Sequence, residues 1–215
     1  MIRFNLNLRP ARPLNVLCLG CHSDDIEIGC GGTVLRLSQE YPCELHWVVF
    51  SATGGREAEA QQAAGLFAGS RLRPPIVKKF QDGFMPFHGA DVKRIFEEEL
   101  KQLNPGLIFT HNIQDAHQDH RLISELTWNT FRNHMILEYE IPKYDGDLGR
   151  PSVFVPLKTE VAQQKVTLLM DVFKSQQQKR WFEKETFLSL MRLRGMECNS
   201  DSGYAEAFYC RKATL

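Results

Sequence analysis

Apolar and polar positions alternate in blocks along this chain of 215 residues. Residues 14–20 (Leu-Asn-Val-Leu-Cys-Leu-Gly) form an apolar run that reads as a buried strand of a parallel sheet. Val34, Leu35 and Leu37 then open a helical face, which predicts a helix over 33–40 that ends near Pro42. A second strand is expected over 44–50, an Ala-rich helix over 56–68 and a short third strand over 76–80. Val92, Ile95, Phe96, Leu100 and Leu103 fall at helical spacing within 91–103, Pro105 breaks that pattern, and 107–110 is a fourth strand. A helix over 120–133 follows. Beyond it the pattern weakens to a strand at 138–141, an extended stretch at 152–156, a largely helical block over 160–194 and a last strand at 203–210. Trp128, Phe131 and the Leu168, Leu169, Val172 stripe read as core.

Strand and helix in this rhythm predict right-handed βαβ units. The fold class is α/β: a Rossmann-like, mostly parallel sheet with helices on both faces, in a single domain over 1–215. Two strands empty into polar loops, at His22 and at His111, so the active site is expected at the C-terminal strand edge. The first loop lacks the glycine fingerprint of dinucleotide binding, and its carboxylates would repel a pyrophosphate. Residues 1–13, with Pro10 and Pro13, read as an extended lead-in.

Charge narrows the range of partners. Lys plus Arg and Asp plus Glu both number 26, so nothing suggests a nucleic-acid surface. No apolar stretch approaches the roughly 18 residues of a membrane span. The N-terminus is too polar for a signal peptide, and the expected location is cytoplasmic. Six scattered cysteines read as reduced thiols. Cys18 and Cys21 have redox-motif spacing but lie on a strand, where residues three apart face opposite sides.

The chemistry lies in two patches. The first is His22-Ser23-Asp24-Asp25-Ile26-Glu27, in which one imidazole and three carboxylates would repel or titrate unless a cation held them. The second runs from His111 through Asp115, His117, Asp119 and His120. A hydrolytic zinc keeps three protein ligands and one open position. His22 and Asp25 offer two of them, and a histidine of the second patch, His120 at the helix start, the third. Asp24, beside the metal but not on it, is placed as general base. His117, paired with Asp119, would face the developing oxyanion. Glu27 is expected to hold the loop through backbone amides, and Cys21 to face away from the metal. His46, His88 and His134 read as structural or surface residues, whereas His111 is open between pocket lining and support.

These motifs resemble the LmbE-like or PIG-L family of zinc-dependent N-deacetylases, whose first patch typically reads Ala-His-Pro-Asp-Asp-x-Glu and whose second reads His-Pro/Gln-Asp-His. Gly54-Gly55-Arg56-Glu57-Ala58-Glu59, Asp82-Gly83, Lys165 with Ser175-Gln176, and Tyr204-Ala205-Glu206-Ala207-Phe208 follow in the family's order. The resemblance implies His22, Asp25 and His120 as ligands of Zn2+, with Fe2+ or Co2+ also suited to the set. It implies Asp24 as base, His117 as oxyanion donor or acid, and Asp119 as the group that orients and charges His117. Arg56 would contact sugar hydroxyls or a phosphate. Asp115 stands where some relatives carry an extra acidic tyrosine, on the substrate side. The implied reaction removes an N-acetyl group from an amino sugar such as N-acetylglucosamine, or from its conjugate, and releases acetate and an amine. A thiol- or glycopeptide-type conjugate with the same metal site is the alternative substrate, and a non-catalytic sugar-binding relative the alternative class. The family also allows a homo-oligomer. Cys21 and Ser23 depart from the family's Ala and Pro.

Overall fold

The computed structural model describes residues 13–213, so all of the expected lead-in but Pro13 lies outside the described residues. Seven strands form one sheet: β1 (Leu14–His22), β2 (Cys43–Ser51), β3 (Ile76–Val77), β4 (Leu107–His111), β5 (Met135–Tyr139), β6 (Val153–Leu157) and β7 (Tyr204–Tyr209). Their spatial order is β3-β2-β1-β4-β5-β7-β6. The first five strands are parallel, and β7 runs antiparallel between β5 and β6. Six helices complete the fold: α1 (Asp25–Glu40), α2 (Gly55–Ala68), α3 (Gly89–Ile95), α4 (Gln118–Thr130), α5 (Thr159–Val172) and α6 (Lys184–Glu197). None is long and apolar enough to cross a membrane.

β1 divides the core by simple alternation. Val16 and Cys18 pack with side chains of α1, α2, α5 and α6 on one face, while Leu17, Leu19 and Cys21 pack with α3 and α4 on the other. The chain order reverses between β1 and β4: β2 follows β1 to one side, β4 returns on the other. Such a switch point leaves a crevice at the carboxyl ends of the two strands. His22 ends β1 and His111 ends β4, so both patches open into it.

Several boundaries differ from the pattern reading. α1 starts at Asp25, eight residues before the helix expected over 33–40, so the acidic patch is the first turn of the helix and not a loop. Asp25 and Glu27 there face the positive end of the helix dipole. The glycines that obscured this helix are packing devices. A Cβ at Gly29 would stand 2.2 Å from the Tyr139 ring, and one at Gly32 would stand 2.5 Å from Leu157. A buried ion pair also enters the helix ladder. Lys165 Nζ donates to Ile28 O and to Glu206 Oε1, both at 2.6 Å, while Glu206 accepts from Gly32 N and Thr33 N at 2.8 and 2.6 Å. The pair ties α1 to α5 and β7. Further along, α3 passes into a π turn (Phe96–Leu100) and a 3-10 turn, and the block expected over 160–194 divides into α5 and α6. β3 holds only Ile76–Val77, and β5 begins at Met135, before the strand expected over 138–141.

Candidate active site at the ends of two strands

Where β1 gives way to α1, the Asp25 carboxylate turns back on the chain, and its Oδ2 accepts the His22 backbone N–H at 2.6 Å. This closes the turn and aims the same oxygen at three imidazoles. His22 Nδ1 lies 3.3 Å away, His120 Nε2 3.5 Å and His111 Nε2 3.3 Å. Burial opposes the charge on Asp25, but His120, His111 and His22 together hold its carboxyl well below the usual range.

His22 Nδ1 and His120 Nε2 are 3.1 Å apart, so with Asp25 Oδ2 they make a triangle with edges of 3.1, 3.3 and 3.5 Å. Three donors bound to a tetrahedral zinc at about 2.0–2.1 Å stand roughly 3.3 Å from one another. The triangle therefore fits three corners of such a site. The far nitrogen of each imidazole also faces a carboxylate: His22 Nε2 lies 2.9 Å from Asp82 Oδ1, and His120 Nδ1 lies 3.0 Å from Asp115 Oδ2. Carboxylates so placed orient ligand imidazoles and raise their basicity.

Asp24 caps the start of α1 without a side-chain cap bond, is 4 % exposed, and belongs to none of the clusters of metal-ligating side chains among the described residues. Burial and the Asp25 charge push its carboxyl up, against Arg56 and His22, which pull it down. Arg56, at the start of α2, donates from Nε to Ser23 Oγ at 3.1 Å. It also reaches Asp24 Oδ1 and Asp82 Oδ2, both at 3.4 Å. Arg56 thus lies across Asp24 and the 82–83 loop, with its side chain 21 % exposed.

His117 is the N-cap of α4. Its Nδ1 accepts the Asp119 N–H at 3.2 Å, which places the ring proton on Nε2 in the neutral form. The ring lies 4.6 Å from that of His120 and 5.0 Å from that of His22. Burial, then His120 and His22, hold its pKa below the ordinary value. His117 is therefore a neutral donor. The expectation that Asp119 charges His117 is corrected: the Asp119 carboxylate accepts from Gly83 N at 2.7 Å and Met85 N at 3.3 Å. A carboxylate buried in the first helical turn finds unpaired amides of the neighbouring loop more readily than the imidazole that caps its own amide.

Asp115 is corrected as well. It was expected on the substrate side, yet it is 4 % exposed and fully engaged. Besides His120, it accepts from His117 N at 2.8 Å and pairs with Lys143 Nζ at 3.1 Å. Its carboxyl titrates far below the ordinary range despite burial, because His120, His111 and Lys143 face it. Lys143 in turn pairs with Asp147, which accepts the Ala116 N–H at 2.7 Å. The loop over 140–150 is thereby bonded to the second patch.

Three further expectations meet the structure here. Cys21 does not face away: its Sγ clusters with the donors of His22, Asp25 and His120, closest to His22 Nε2 at 3.8 Å and Met85 Sδ at 3.9 Å. The triangle uses the other nitrogen of His22, so the thiol's contact is to the nitrogen that faces Asp82. His111 is support: its Nε2 accepts the Cys21 N–H at 2.9 Å, its ring stacks on His120 at 3.9 Å, and burial helps lower its pKa to about 4. Glu27 is fully buried, with neither carboxyl oxygen hydrogen-bonded, so it does not hold the loop through amides. Tyr139, beneath the site, is core; its hydroxyl donates to Leu19 O at 2.6 Å. Asp82 and Lys143 join the site without having been expected there. Asp82-Gly83 stood out as a pair, but Lys143 gave no signal.

Residues 17–131, just over half of the chain, match the profile of PIG-L, described as GlcNAc-PI de-N-acetylase. Over 157 residues the chain is 27 % identical to the uncharacterized deacetylase YaiS of Escherichia coli (strain K12), covering 67 % of this chain and 83 % of that one. Among solved structures, N,N'-diacetylchitobiose deacetylase from Pyrococcus horikoshii superposes with a TM-score of 0.69 at 19 % identity, over 91 % of this chain and 83 % of that one. GalB of Pseudomonas putida KT2440, a 4-carboxy-2-hydroxymuconate hydratase, superposes with a TM-score of 0.74 at 16 % identity, over 94 % and 98 %. At these identities the structural likeness establishes the fold, which carries more than one reaction.

Proposed function

Because the chain belongs to the PIG-L family of GlcNAc-PI de-N-acetylases, we propose that it is a metal-dependent hydrolase that removes an N-acetyl group from an amino sugar or its conjugate. The observation that carries this reading is the donor triangle of His22, Asp25 and His120 with the buried carboxylate of Asp24 beside it. The triangle would hold Zn2+, and Fe2+ or Co2+ suit it too. Such an ion polarises an amide carbonyl and lowers the pKa of water.

Asp24 takes the proton of the attacking water. Its burial raises the carboxyl towards the pH at which it can both accept and release a proton. Nε2–H of neutral His117 donates to the carbonyl oxygen as negative charge develops there. A neutral imidazole that is already a donor is a poor acid, so Asp24 then passes its proton to the departing amine. Arg56, bonded to Ser23 and reaching Asp24 and Asp82, presents its guanidinium to sugar hydroxyls or a phosphate. The deacetylase of Pyrococcus horikoshii, named for an N-acetylated sugar, supports this substrate class. We place the activity in the cytoplasm.

Metal analysis with acetate release from a panel of N-acetylated sugars tests the reading. About one zinc or iron per chain is expected, lost in His120→Ala. In Asp24→Asn the metal should stay while turnover falls about 10³-fold. Undiminished turnover in Asp24→Asn would remove the base from this mechanism, and a wild-type protein that takes up no metal would end the hydrolase reading.

A further inference from the structure

The loop between β3 and α3 carries Asp82, which faces His22, and Gly83 and Met85, whose amides are both held by Asp119. Gln118 also donates to Gly83 O. Between and after those anchors stand two phenylalanines, Phe84 at 48 % and Phe87 at 78 % exposed, with ring centroids 6.1 Å apart. An exposed ring is ordinary singly, but a pair fixed beside a site is not. Seven large apolar side chains are strongly exposed among the described residues, and four of them (Phe84, Phe87, Tyr144, Leu148) lie on the two loops bonded to residues 115–119. Inside the crevice, by contrast, almost every group is polar and buried.

We infer that Phe84 and Phe87 form an apolar subsite at the mouth of the crevice for an alkyl or aryl group carried by the substrate. The inference rests on the deacetylase reading for the polar end of that substrate, while the rings specify its other end. Polar donors for the sugar and amide next to rings free of polar partners suit an amphipathic molecule better than a free sugar. The apolar group can reach the rings from either side of the amide, as the aglycone of the sugar or as a longer acyl chain. Both present the same chemistry to Phe84 and Phe87.

Three probes separate the sources: the methyl and hexyl β-glycosides of N-acetylglucosamine, and the methyl β-glycoside of N-hexanoylglucosamine. Each is offered to the wild-type protein and to Phe84→Ser/Phe87→Ser, whose circular dichroism should be unchanged because both rings are exposed. Specificity is read by kcat/KM where acid is released and by calorimetry where none is. One hexyl-bearing probe should be favoured about tenfold over the methyl acetyl probe, and the preference should vanish in the double variant. Preference for the hexyl glycoside assigns the subsite to the aglycone, and preference for the hexanoyl probe assigns it to the acyl chain. No preference, no binding of any probe, or a preference that survives in the double variant overturns the subsite. So does a wild-type oligomer that the variant dissolves without change in preference, since the rings then cover a second copy. Binding with the expected preference but without acid release would instead retain the subsite and remove the deacetylase reading.

Discussion

The ends of β1 and β4 carry similar residue types, histidines among carboxylates, yet their carboxylates do opposite work. At the end of β1, Asp25 gathers imidazoles, and Asp24 is held only by long contacts to a partly exposed arginine. At the end of β4, Asp115 and Asp119 are consumed by backbone amides, a lysine and imidazole nitrogens, His120 Nδ1 on Asp115 and, at 3.8 Å, His22 Nε2 on Asp119. The first patch supplies reactive groups, and the second supplies two histidines with the bracing that aims them. A carboxylate saturated with donors is stabilised in place and lost to proton transfer; one left undersatisfied by burial is costly and available. The difference lies in partners rather than in residue type.

Substitutions that keep shape and remove charge probe this contrast. The largest effect in the second patch is expected from Asp115→Asn, which weakens the grip on His120 Nδ1. Metal affinity should fall about 10- to 100-fold, read by competition with a chromogenic chelator. If metal affinity is unchanged while KM rises, Asp115 belongs on the substrate side after all.

Asp119→Asn should act first on the loop, since its contact to His22 Nε2 is, at 3.8 Å, longer than that of Asp82 at 2.9 Å. Its amide retains one acceptor oxygen for two backbone N–H groups, a loss of about 1–2 kcal/mol. For a chain of this size that lowers Tm by roughly 2–8 °C. Metal content should be that of the wild type. Loss of metal in this variant would blur the distinction between the two bracing carboxylates.

The smallest effect is expected from Cys21→Ala. With the thiol on the nitrogen of His22 that faces Asp82, affinity should change less than about tenfold. The cobalt-substituted wild-type protein should lack a near-ultraviolet thiolate-to-cobalt band. A band that the substitution abolishes would make Cys21 a fourth ligand and recast the first patch as a closed site.

The legibility of this protein follows the same division. The central strands could be read because strands covered on both faces are nearly continuous apolar runs, as residues 14–20 are apart from Asn15. The switch-point crevice followed from the strand–helix rhythm, and the two patches from charge gathered where strands end. α1 was harder, since its first turns hold acids and glycines in place of an apolar stripe. Its glycines are explained by Tyr139 and Leu157, which lie more than a hundred residues away in the chain.

The sequence by itself determined which chemistry is available: imidazoles and carboxylates at two strand ends, on one edge of a mostly parallel sheet. Only the tertiary structure decided which oxygen faces which nitrogen. Asp115 turns to His120 and Lys143, Asp119 turns to the loop that bears Phe84, and Asp82 arrives on the loop after β3 to face His22. Residue type and spacing set the local conformation and the charge. A side chain's partner depends on which buried donors lie nearest after packing, and those donors come from distant parts of the chain.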